Sequence, residues 1–332
     1  MNLSRLAKLA GCSLSTVSKA FKNSPEISND TKERIFKLAK EHNCYTKYYT
    51  PVLQKKVFAL LCSEVSSLFY SSVIESIEKN ISENGDILLV SIGNFVQSKT
   101  EELIDYYINF HKVDGLILMF NTGYDIKGIK NTPTVAIGHQ LDKLPKISYY
   151  CDYVSSDNHD AIYQAVSYLK NMGHKKIGFI GEYHTAKTSE KFEEALKYYK
   201  IPINKDWIAI SSKRKGEAGY DGMDKIIANS SRPTAVFAAY DSIALGAVNR
   251  IYKAGLKVPD DISIIGNNDI PLARFGVPPL TTITVPIQNI ADAATELLYK
   301  RIKYNNNTPY QKVFFQSSLT IRDSVKNLNE KF

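Results

Sequence analysis

Motifs for catalysis and for metal binding are absent from this sequence. It contains no G-x-x-x-x-G-K-[ST] phosphate loop, no G-x-G-x-x-G and no G-x-S-x-G nucleophile elbow. These absences argue against NTP hydrolysis, dinucleotide binding and serine hydrolysis. The four cysteines form no C-x-x-C pair and the histidines form no i, i+4 pair, so neither a zinc site nor a disulfide scaffold is indicated. We therefore expect no enzyme activity, no cofactor and no metal.

Long apolar runs are also absent. Arg5 and Lys8 interrupt the first residues, so the continuous apolar region of a signal peptide is missing. No run approaches the ~20 apolar residues that a membrane span requires. Scattered free cysteines fit a reducing compartment. We expect a cytoplasmic protein that makes no contact with membranes.

Positive charge is concentrated at one end of the chain. The formal net charge of the 332 residues is +8. Residues 1–56 hold eleven Lys or Arg against four Asp or Glu, a net charge of +7, which leaves the other residues close to neutral. This asymmetry indicates a small polyanion-binding module on a neutral body.

Residues 6–21 have the pattern of two short helices joined by a tight turn. Gly11 accepts the positive φ that such a turn needs, and Ser13 stands where a helix N-cap belongs. Val17 and Phe21, four residues apart, give the second helix an apolar side. The pattern predicts a helix-turn-helix with a recognition helix. An ordinary helical hairpin is the alternative that these residues leave open.

A third helix is predicted over residues 31–42, after Ser28. Residues 45–56 are polar, aromatic and basic with Pro51 inside, which is typical of a linker. We therefore expect a headpiece over residues 1–46 and a hinge over residues 47–56.

The body alternates apolar runs with amphipathic stretches, which predicts an α/β fold of two doubly wound parallel sheets. The predicted strands cover residues 57–62, 87–90, 113–119, 134–137, 176–180, 207–210, 234–238 and 262–265, with a last strand near 312–321. The predicted helices include residues 99–112, 157–172, 188–200, 217–229, 242–254 and 287–304. Because open sheets bind ligands at the carboxyl ends of their strands, two lobes without catalytic motifs favour a ligand-binding cleft.

Several segments, taken in order along the chain, resemble the LacI/GalR family of sugar-responsive repressors. They are the stretch 6–21, Asn23-Ser-Pro-Glu-Ile-Ser, Val113-Asp-Gly-Leu-Ile, Gly173–Ile180, Phe237–Gly246, Ala254–Gly266 and Pro278–Ile283. The segment Asn268–Phe275 looks closest to the branch that includes repressors of β-galactoside genes.

The resemblance implies a helix-turn-helix headpiece followed by a periplasmic-binding-protein-like body. It assigns residues 57–155 and 285–309 to the N-terminal lobe, and residues 156–284 and 310–325 to the C-terminal lobe. It also implies a homodimer that reads near-palindromic double-stranded operator DNA. A tetramer is not expected, since no leucine heptad follows Arg322.

The resemblance further implies a set of DNA contacts. Leu14, Ser15 and Lys19 fall at base-reading positions, and Thr16 and Ser18 at phosphate-contacting ones. Leu14 can touch a thymine methyl group, whereas Ser15 and Lys19 can form hydrogen bonds with base edges. The other implied contacts are Asn23, Ser28, Val52 and Leu53. The hinge segment is shorter than is usual in the family.

The implied effector-binding residues are Ser63, Phe69, Tyr70, His139, Thr188, Arg214, Tyr240 and Asn268. Thr188 replaces the arginine of the family, and Tyr240 and Asn268 replace its usual Asn and Asp. As a set, these residues indicate a hydroxyl-rich ligand such as a sugar, with a galactoside-like one as the specific expectation. A core or surface role for each residue is the alternative.

The sequence thus predicts a DNA-binding repressor of carbohydrate-utilisation genes that a small sugar controls allosterically. Two alternatives stay open at this point. One is a solute-binding protein without a regulatory role, which the basic headpiece disfavours. The other is an α/β enzyme fused to a helical domain.

Overall fold

The computed structural model describes residues 1–22, 24–45, 55–119, 129–140, 149–157, 159–304 and 307–329, without the side chains of Lys130, His139 and Gln140. The chain divides into two compact units. One unit comprises Met1–Val57 with Ser82–Ile87, and the other comprises Phe58–Ile81 with Leu88–Phe332. Among the described residues, no helix is long and apolar enough to cross a bilayer.

Among the described residues before Val57, three helices belong to the N-terminal unit: α1 (Leu3–Leu9), α2 (Leu14–Phe21) and α3 (Asn29–Glu41). A polar side chain caps the start of each helix by accepting a hydrogen bond from a backbone N–H three residues later; these caps are Asn2, Ser13 and Ser28. Such caps satisfy amide groups that have no partner inside the helix.

The turn between α1 and α2 is made by Gly11, which has φ +60°. Leu6, Val17 and Ile35, one from each helix, are fully buried against one another in a small apolar core. The ring centroid of Phe36 lies 5.6 Å from that of Phe21 at the edge of this core. The predicted helix-turn-helix is confirmed.

The rest of the chain alternates strands and helices. The strands are β1 (Val57–Cys62), β2 (Ile87–Ile92), β3 (Gly115–Met119), β4 (Thr134–Gln140), β5 (Asp152–Asp157), β6 (Ile177–Glu182), β7 (Ile208–Ser211), β8 (Ala235–Ala238), β9 (Ser263–Asn268), β10 (Thr281–Thr284), β11 (Lys312–Gln316) and β12 (Ser318–Thr320). The helices are α4 (Leu68–Glu83), α5 (Gln97–Asp105), α6 (His159–Asn171), α7 (Ala186–Tyr198), α8 (Lys215–Ile227), α9 (Asp241–Lys253), α10 (Pro271–Phe275) and α11 (Ile287–Lys303). A π-helical turn, Tyr106–Phe110, continues α5.

The strands form two six-stranded sheets. The first has the order β11-β5-β4-β3-β1-β2, and the second the order β12-β10-β9-β8-β6-β7. We call β1–β5 and β11 with α4, α5 and α11 the first lobe, and β6–β10 and β12 with α6–α10 the second lobe. The predicted α/β fold with two parallel-sheet lobes is confirmed, although β12 runs antiparallel to β10.

Continuous apolar runs explain the central strands. All five residues of β3 and all four of β8 are buried, as expected for strands that helices cover on both faces. In the helices, buried apolar residues recur about once per helical turn. In α4, for example, the buried side is formed by Val73, Ile77 and Ile81, which follow one another at intervals of four residues.

The end of the chain differs from the expected lobe assignment. The boundary at residue 309 placed the whole last strand in the C-terminal lobe, but the structure splits it. β11 pairs in parallel with β5 in the first sheet, and only β12 joins the second sheet. β11 alternates exposed and half-buried residues, as an edge strand does, so its sequence does not show which sheet it joins.

Two strands were not predicted, β5 and β10. β5 is buried although it contains Asp152, Ser155 and Ser156. These polar side chains are tolerated because they are hydrogen-bonded; the hydroxyl of Ser155, for example, donates to the carbonyl of Gly138 at 2.9 Å. A search for apolar runs misses such strands.

A buried ion pair secures the passage from α11 to β11. The guanidinium of Arg301 contacts the carboxylate of Asp152 at 2.5 and 2.8 Å, and both residues are 1% exposed. Arg301 also donates to the carbonyl oxygens of Thr308 and Pro309 at 2.6 and 2.9 Å. The hydrogen bonds to Asp152 raise the pKa of Arg301, so its guanidinium stays charged. Arg301 thereby ties the segment before β11 to the neighbouring strand β5.

Replacing Arg301 tests this role. Arg301→Met leaves the Asp152 carboxylate buried without its partner, and should lower the free energy of unfolding by about 3–5 kcal/mol. The measurement is urea unfolding followed by far-UV circular dichroism. The matched control is Arg250→Met, which removes the pair with the exposed Asp224 and should cost about 1 kcal/mol or less. Equal losses in the two variants would contradict the assignment.

Candidate functional site

The helix α2 presents one polar side to solvent. Its buried side consists of Val17, Ala20 and Phe21. The predicted base-reading residues Leu14, Ser15 and Lys19 are all exposed, and the predicted phosphate contacts Thr16 and Ser18 are half-buried. The residues that the sequence analysis selected are therefore on the accessible side of the helix.

Some of these side chains already have partners within the unit. The ammonium group of Lys19 pairs with the carboxylate of Glu26 in the loop before α3. The hydroxyl of Thr16 contacts that of Ser13 at 2.8 Å. Ser28 caps α3, and its hydroxyl lies 2.9 Å from that of Thr31. The other predicted contacts, Asn23, Val52 and Leu53, lie outside the described residues, as does most of the predicted hinge.

A second group of polar side chains lies between the two lobes, where parallel strands end. Glu64 follows β1 in the first lobe, Glu182 ends β6 in the second, and Arg214 follows β7. The two terminal nitrogens of Arg214 donate to the two carboxylate oxygens of Glu64 at 2.8 and 3.1 Å. Its Nε donates to Glu182 at 3.0 Å. One guanidinium thus joins carboxylates from both lobes.

Lys215 adds a second cation to this group. Its ammonium nitrogen lies 3.2 Å from the carboxylate of Glu64 and 2.5 Å from the hydroxyl of Ser66. Its backbone N–H donates to Glu182 at 3.3 Å and to the phenolic oxygen of Tyr240 at 3.1 Å. We call Glu64, Glu182, Arg214 and Lys215 the cleft charge cluster; its formal charges cancel.

Electrostatics keep Glu64 and Arg214 ionised. Burial acts to raise the pKa of Glu64, but hydrogen bonds and charge from Arg214 and Lys215 outweigh it and hold this pKa below its ordinary value. Burial opposes the charge of Arg214 in the same way, and Glu64 with Glu182 raises its pKa overall. Both partners of the bridge are therefore charged near neutral pH.

Two phenols border the cluster and stay protonated. Burial, followed by the charge of Glu64, raises the pKa of Tyr70, whose hydroxyl is hydrogen-bonded to Ser63. Burial, followed by the charge of Glu182, raises the pKa of Tyr240. The two hydroxyl groups can therefore donate and accept hydrogen bonds.

Aromatic rings also meet between the lobes. Phe95, in the loop after β2, stacks on His184 of the second lobe with ring centroids 4.4 Å apart and planes at 15°. The guanidinium carbon of Arg214 lies 4.6 Å from the centroid of Phe95. Asn94 and Phe95 have φ +54° and +60°, and Lys215 has φ +56°. Such conformations are costly for residues with a side chain and concentrate at functional sites.

A cavity of 580 Å³ lies beside Arg214 in the second lobe. The segments Glu182–His184 and Ile210–Arg214, from the ends of β6 and β7, line it. This volume lies in the range of small-molecule sites.

The structure brings together only part of the predicted effector set. Ser63, Tyr70, Arg214 and Tyr240 belong to the group around the charge cluster. Phe69 instead packs in the apolar core of the first lobe, where it is 2% exposed. This burial is what the alternative core role predicts, and the effector role of Phe69 stays a prediction.

The other three residues of that set are Thr188, Asn268 and His139. Thr188 lies in the first turn of α7 and Asn268 ends β9 with φ +103°. Neither shares a hydrogen bond with Arg214 or Glu64 in the described part of the chain. His139 lies on β4, and its side chain is outside the described residues.

The sequence analysis missed five residues of this region: Glu64, Phe95, Glu182, His184 and Lys215. Each lies at or just after the carboxyl end of a strand. The rule that open parallel sheets bind ligands at this edge could have selected them. What the sequence did not show is that loops from different sheets face one another.

Comparison with known proteins identifies the family. Residues 2–47 match the family of bacterial regulatory proteins of the lacI type, and residues 166–325 match a periplasmic binding protein-like domain. The chain is 30% identical over 344 residues to the probable HTH-type transcriptional repressor ExuR of Bacillus subtilis, covering 97% of this chain and 98% of the relative. The protein belongs to the lacI family.

Two further relatives match over nearly their whole length. The ribose operon repressor of Haemophilus influenzae is 30% identical, with 97% and 98% of the two chains covered. The repressor PurR of Vibrio parahaemolyticus is 30% identical, with 98% of each chain covered. The prediction of a DNA-binding transcriptional repressor of the LacI family is confirmed, and these relatives favour neither a solute-binding protein nor a fused enzyme. The β-galactoside branch is not confirmed.

Solved structures agree on the fold. The lac repressor dimer bound to operator and the anti-inducer ONPF matches with a TM-score of 0.80 at 19% identity, covering 98% of this chain and 99% of that one. The complex of the regulator CelR with cellobiose matches with a TM-score of 0.70 at 24% identity over 98% and 99% of the chains. At these identities the likeness establishes the architecture.

Next to Tyr240, at the start of α9, Asp241 is fully buried. Its carboxylate accepts hydrogen bonds from the N–H of Ile270 at 2.8 Å and the hydroxyl of Thr282 at 2.5 Å. Burial raises its pKa from the ordinary aspartate value of 3.8 to about 7, although both hydrogen bonds act in the opposite direction. The folded protein therefore takes up a proton as the pH falls below about 7. This group stabilises the fold at lower pH, and its contribution is lost as the pH rises through its folded pKa.

Asp241→Asn should remove this dependence, because the amide can donate to Thr282 and accept from Ile270 at any pH. Relative to the unsubstituted protein, the variant should gain stability between about pH 5 and about pH 8. Urea unfolding at the two pH values measures the difference. The control is Asp260→Asn, at an exposed pair with Lys326. A constant difference between Asp241→Asn and the unsubstituted protein would show that Asp241 does not titrate in this range.

Proposed function

We propose that this protein represses carbohydrate-utilisation genes by binding an operator through α2, and that a small sugar bound between the lobes sets its operator affinity. The proposal of operator binding rests on the exposed polar side of α2, which belongs to a segment of net charge +7. The names of the ribose operon repressor and of the CelR–cellobiose complex support a sugar as the ligand.

The proposed operator contacts divide into two kinds. Leu14 would contact a thymine methyl group, while Ser15 and Lys19 would form hydrogen bonds with base edges. Thr16 and Ser18 would donate to phosphates, which position the helix without reading sequence. A dimer that places two such helices one DNA turn apart would read a near-palindromic site.

The proposed effector site is the region around the cleft charge cluster. Because the charges of Glu64, Glu182, Arg214 and Lys215 cancel, the site fits an uncharged molecule with many hydroxyl groups. Carboxylates accept from such hydroxyls, the guanidinium donates to them, and the phenols of Tyr70 and Tyr240 do both. A galactoside stays the specific prediction from Asn268–Phe275; D-galactose, D-ribose and cellobiose form the first panel of sugars to test.

Selection of bound sequences from a random DNA library tests the repressor function. The expected result is a near-palindromic site, with strong dependence of affinity on salt because cationic side chains displace counterions from phosphates. The promoter DNA beside the gene should contain this site. Enrichment of no sequence over random DNA would refute the proposal.

Two substitutions in α2 distinguish side chains that recognise bases from side chains that contact phosphates. Lys19→Ala should weaken operator binding and relax base preference at one position per half-site, by about 1–3 kcal/mol for the preferred base. Thr16→Ala should weaken binding to all sequences alike. Affinities for single-base operator variants measure both effects. Identical specificity profiles for the two variants would show that the assignment of readers and phosphate contacts is wrong.

We also propose that the protein is a homodimer. Apolar side chains cluster on the surface of the second lobe around α10. Phe275 and Val277 are each 80% exposed, and the hydroxyl of the exposed Tyr252 donates to the carbonyl of Val277 at 3.0 Å. Leu272 is also exposed. An isologous contact with the same surface of a second copy would cover these side chains.

Phe275→Asp should convert the dimer to monomers, because it places a charge in the centre of this surface and Phe275 contributes little to the protomer's own core. Sedimentation equilibrium measures the mass. Tyr198→Asp is the control, since Tyr198 is an exposed aromatic residue on α7. A dimer of unchanged dissociation constant in Phe275→Asp would place the interface elsewhere.

A further inference from the structure

Within the described residues, one short loop of the first lobe makes the hydrogen bonds and ion pairs that Arg214 and Lys215 form with acidic and hydroxyl groups of that lobe. Glu64 and Ser66 lie in the segment between β1 and α4, and they contact the segment between β7 and α8. The Phe95–His184 stack is a second crossing, from the loop after β2 to the loop after β6. Four loops at the carboxyl ends of strands therefore hold the two lobes together on this side.

The same contacts leave little room for a ligand. Both terminal nitrogens of Arg214 are engaged by Glu64, and the rings of Phe95 and His184 are 4.4 Å apart. A sugar ring between two aromatic rings needs roughly twice that spacing, since each face-to-face contact takes about 3.5–4.0 Å. A molecule that binds the edge of the guanidinium held by Glu64, or that enters this stack, must replace contacts that the chain makes with itself.

The bridge has the features of a strong ion pair. It is bidentate and charge-assisted, and the side chains of Glu64 and Arg214 are only 11% and 34% exposed. Lys215 reinforces it from the same segment. Arg214 keeps a second carboxylate partner, Glu182, within its own lobe. Loss of Glu64 would therefore remove the ion pairs of Arg214 and Lys215 with the first lobe without leaving Arg214 unpaired, while the Phe95–His184 stack and the Lys215–Ser66 hydrogen bond stay in place.

We propose that the Glu64–Arg214 pair is a latch that holds the two lobes together, and that an uncharged sugar must open it to bind. The second clause rests on the proposed function, which places the effector in this cleft. Binding of the effector and bridging of the lobes then draw on the same two side chains. The effector changes the arrangement of the lobes by exchanging a contact across the cleft for contacts with itself, which gives it different affinities for the two arrangements.

Distances between the lobes test the latch without DNA or sugar. Spin labels are attached to cysteines introduced at two exposed positions, Glu78 on α4 and Glu190 on α7. Cys12, which is half-buried, is replaced by serine, whereas Cys44, Cys62 and Cys151 are buried. Excess unlabelled protein ensures that distances within one protomer dominate. Pulsed electron–electron double resonance then gives the distance distribution for each variant.

If the latch exists, the distances between the two labels in Glu64→Gln should be longer and more broadly distributed than in the unsubstituted protein. Raising the salt concentration should cause a smaller shift of the same kind in the unsubstituted protein. In Glu64→Gln, salt should have no further effect. Glu193→Gln is the control, because it removes the pair between Lys205 and Glu193, which lies entirely within the second lobe. It should leave the distribution unchanged. An unchanged distribution in Glu64→Gln overturns the latch and leaves the operator and dimer experiments unaffected.

A separate measurement tests whether a sugar must open the latch in order to bind. The panel of D-galactose, D-ribose and cellobiose is titrated by calorimetry at low and high salt. A sugar that opens the latch should bind the unsubstituted protein more tightly as salt rises, since screening weakens the ion pair it competes with. In Glu64→Gln its affinity should not change with salt. A salt-independent affinity in both proteins overturns this clause, whereas failure of every sugar to bind counts against the proposed function.

Discussion

The guanidinium of Arg214 is the group on which the cleft depends. It contacts Glu64 in one lobe and Glu182 in the other, and Phe95 lies against it. A buried or half-buried cation needs such partners, because desolvation without them would oppose its charge. The neutral balance that results supports the proposal of an uncharged, polyhydroxylated ligand, because each charged group can exchange a protein partner for a hydroxyl without any net charge being brought into the cleft.

The path of the chain determines what a change in this cleft can do. The polypeptide passes from the first lobe to the second after β5, returns after β10 and passes again after β11. The lobes are therefore joined by several covalent connections, which restrict their relative motion. The Arg301–Asp152 pair secures the segment before one of these passages inside the first lobe.

The sequence was sufficient to predict the structure of those segments whose conformation depends on neighbouring residues. Gly11, Ser13 and the buried side of α2 follow from turn, cap and periodicity rules, and apolar runs located most central strands. It was insufficient where polar groups are buried or where distant loops meet. The strand β5 was not predicted because it contains polar residues, such as Ser155, whose hydrogen bonds allow their burial. The strand β11 was predicted but assigned to the wrong sheet, because the sequence of an edge strand does not show which sheet it joins. Glu64 and Glu182 resemble ordinary surface acids until the two sheets are placed side by side.

The central claim is that one sugar site and one operator site are energetically coupled. The most direct measurement is the affinity of a sugar from the panel for the free protein and for the protein saturated with operator DNA. Thermodynamic linkage requires the two effects to be equal: operator DNA must change the affinity for the sugar by the same factor by which the sugar changes the affinity for operator DNA. In typical allosteric proteins this factor is about 5–150. The account predicts two unequal sugar affinities whose ratio satisfies this equality. Equal sugar affinities in the presence and absence of operator would contradict it.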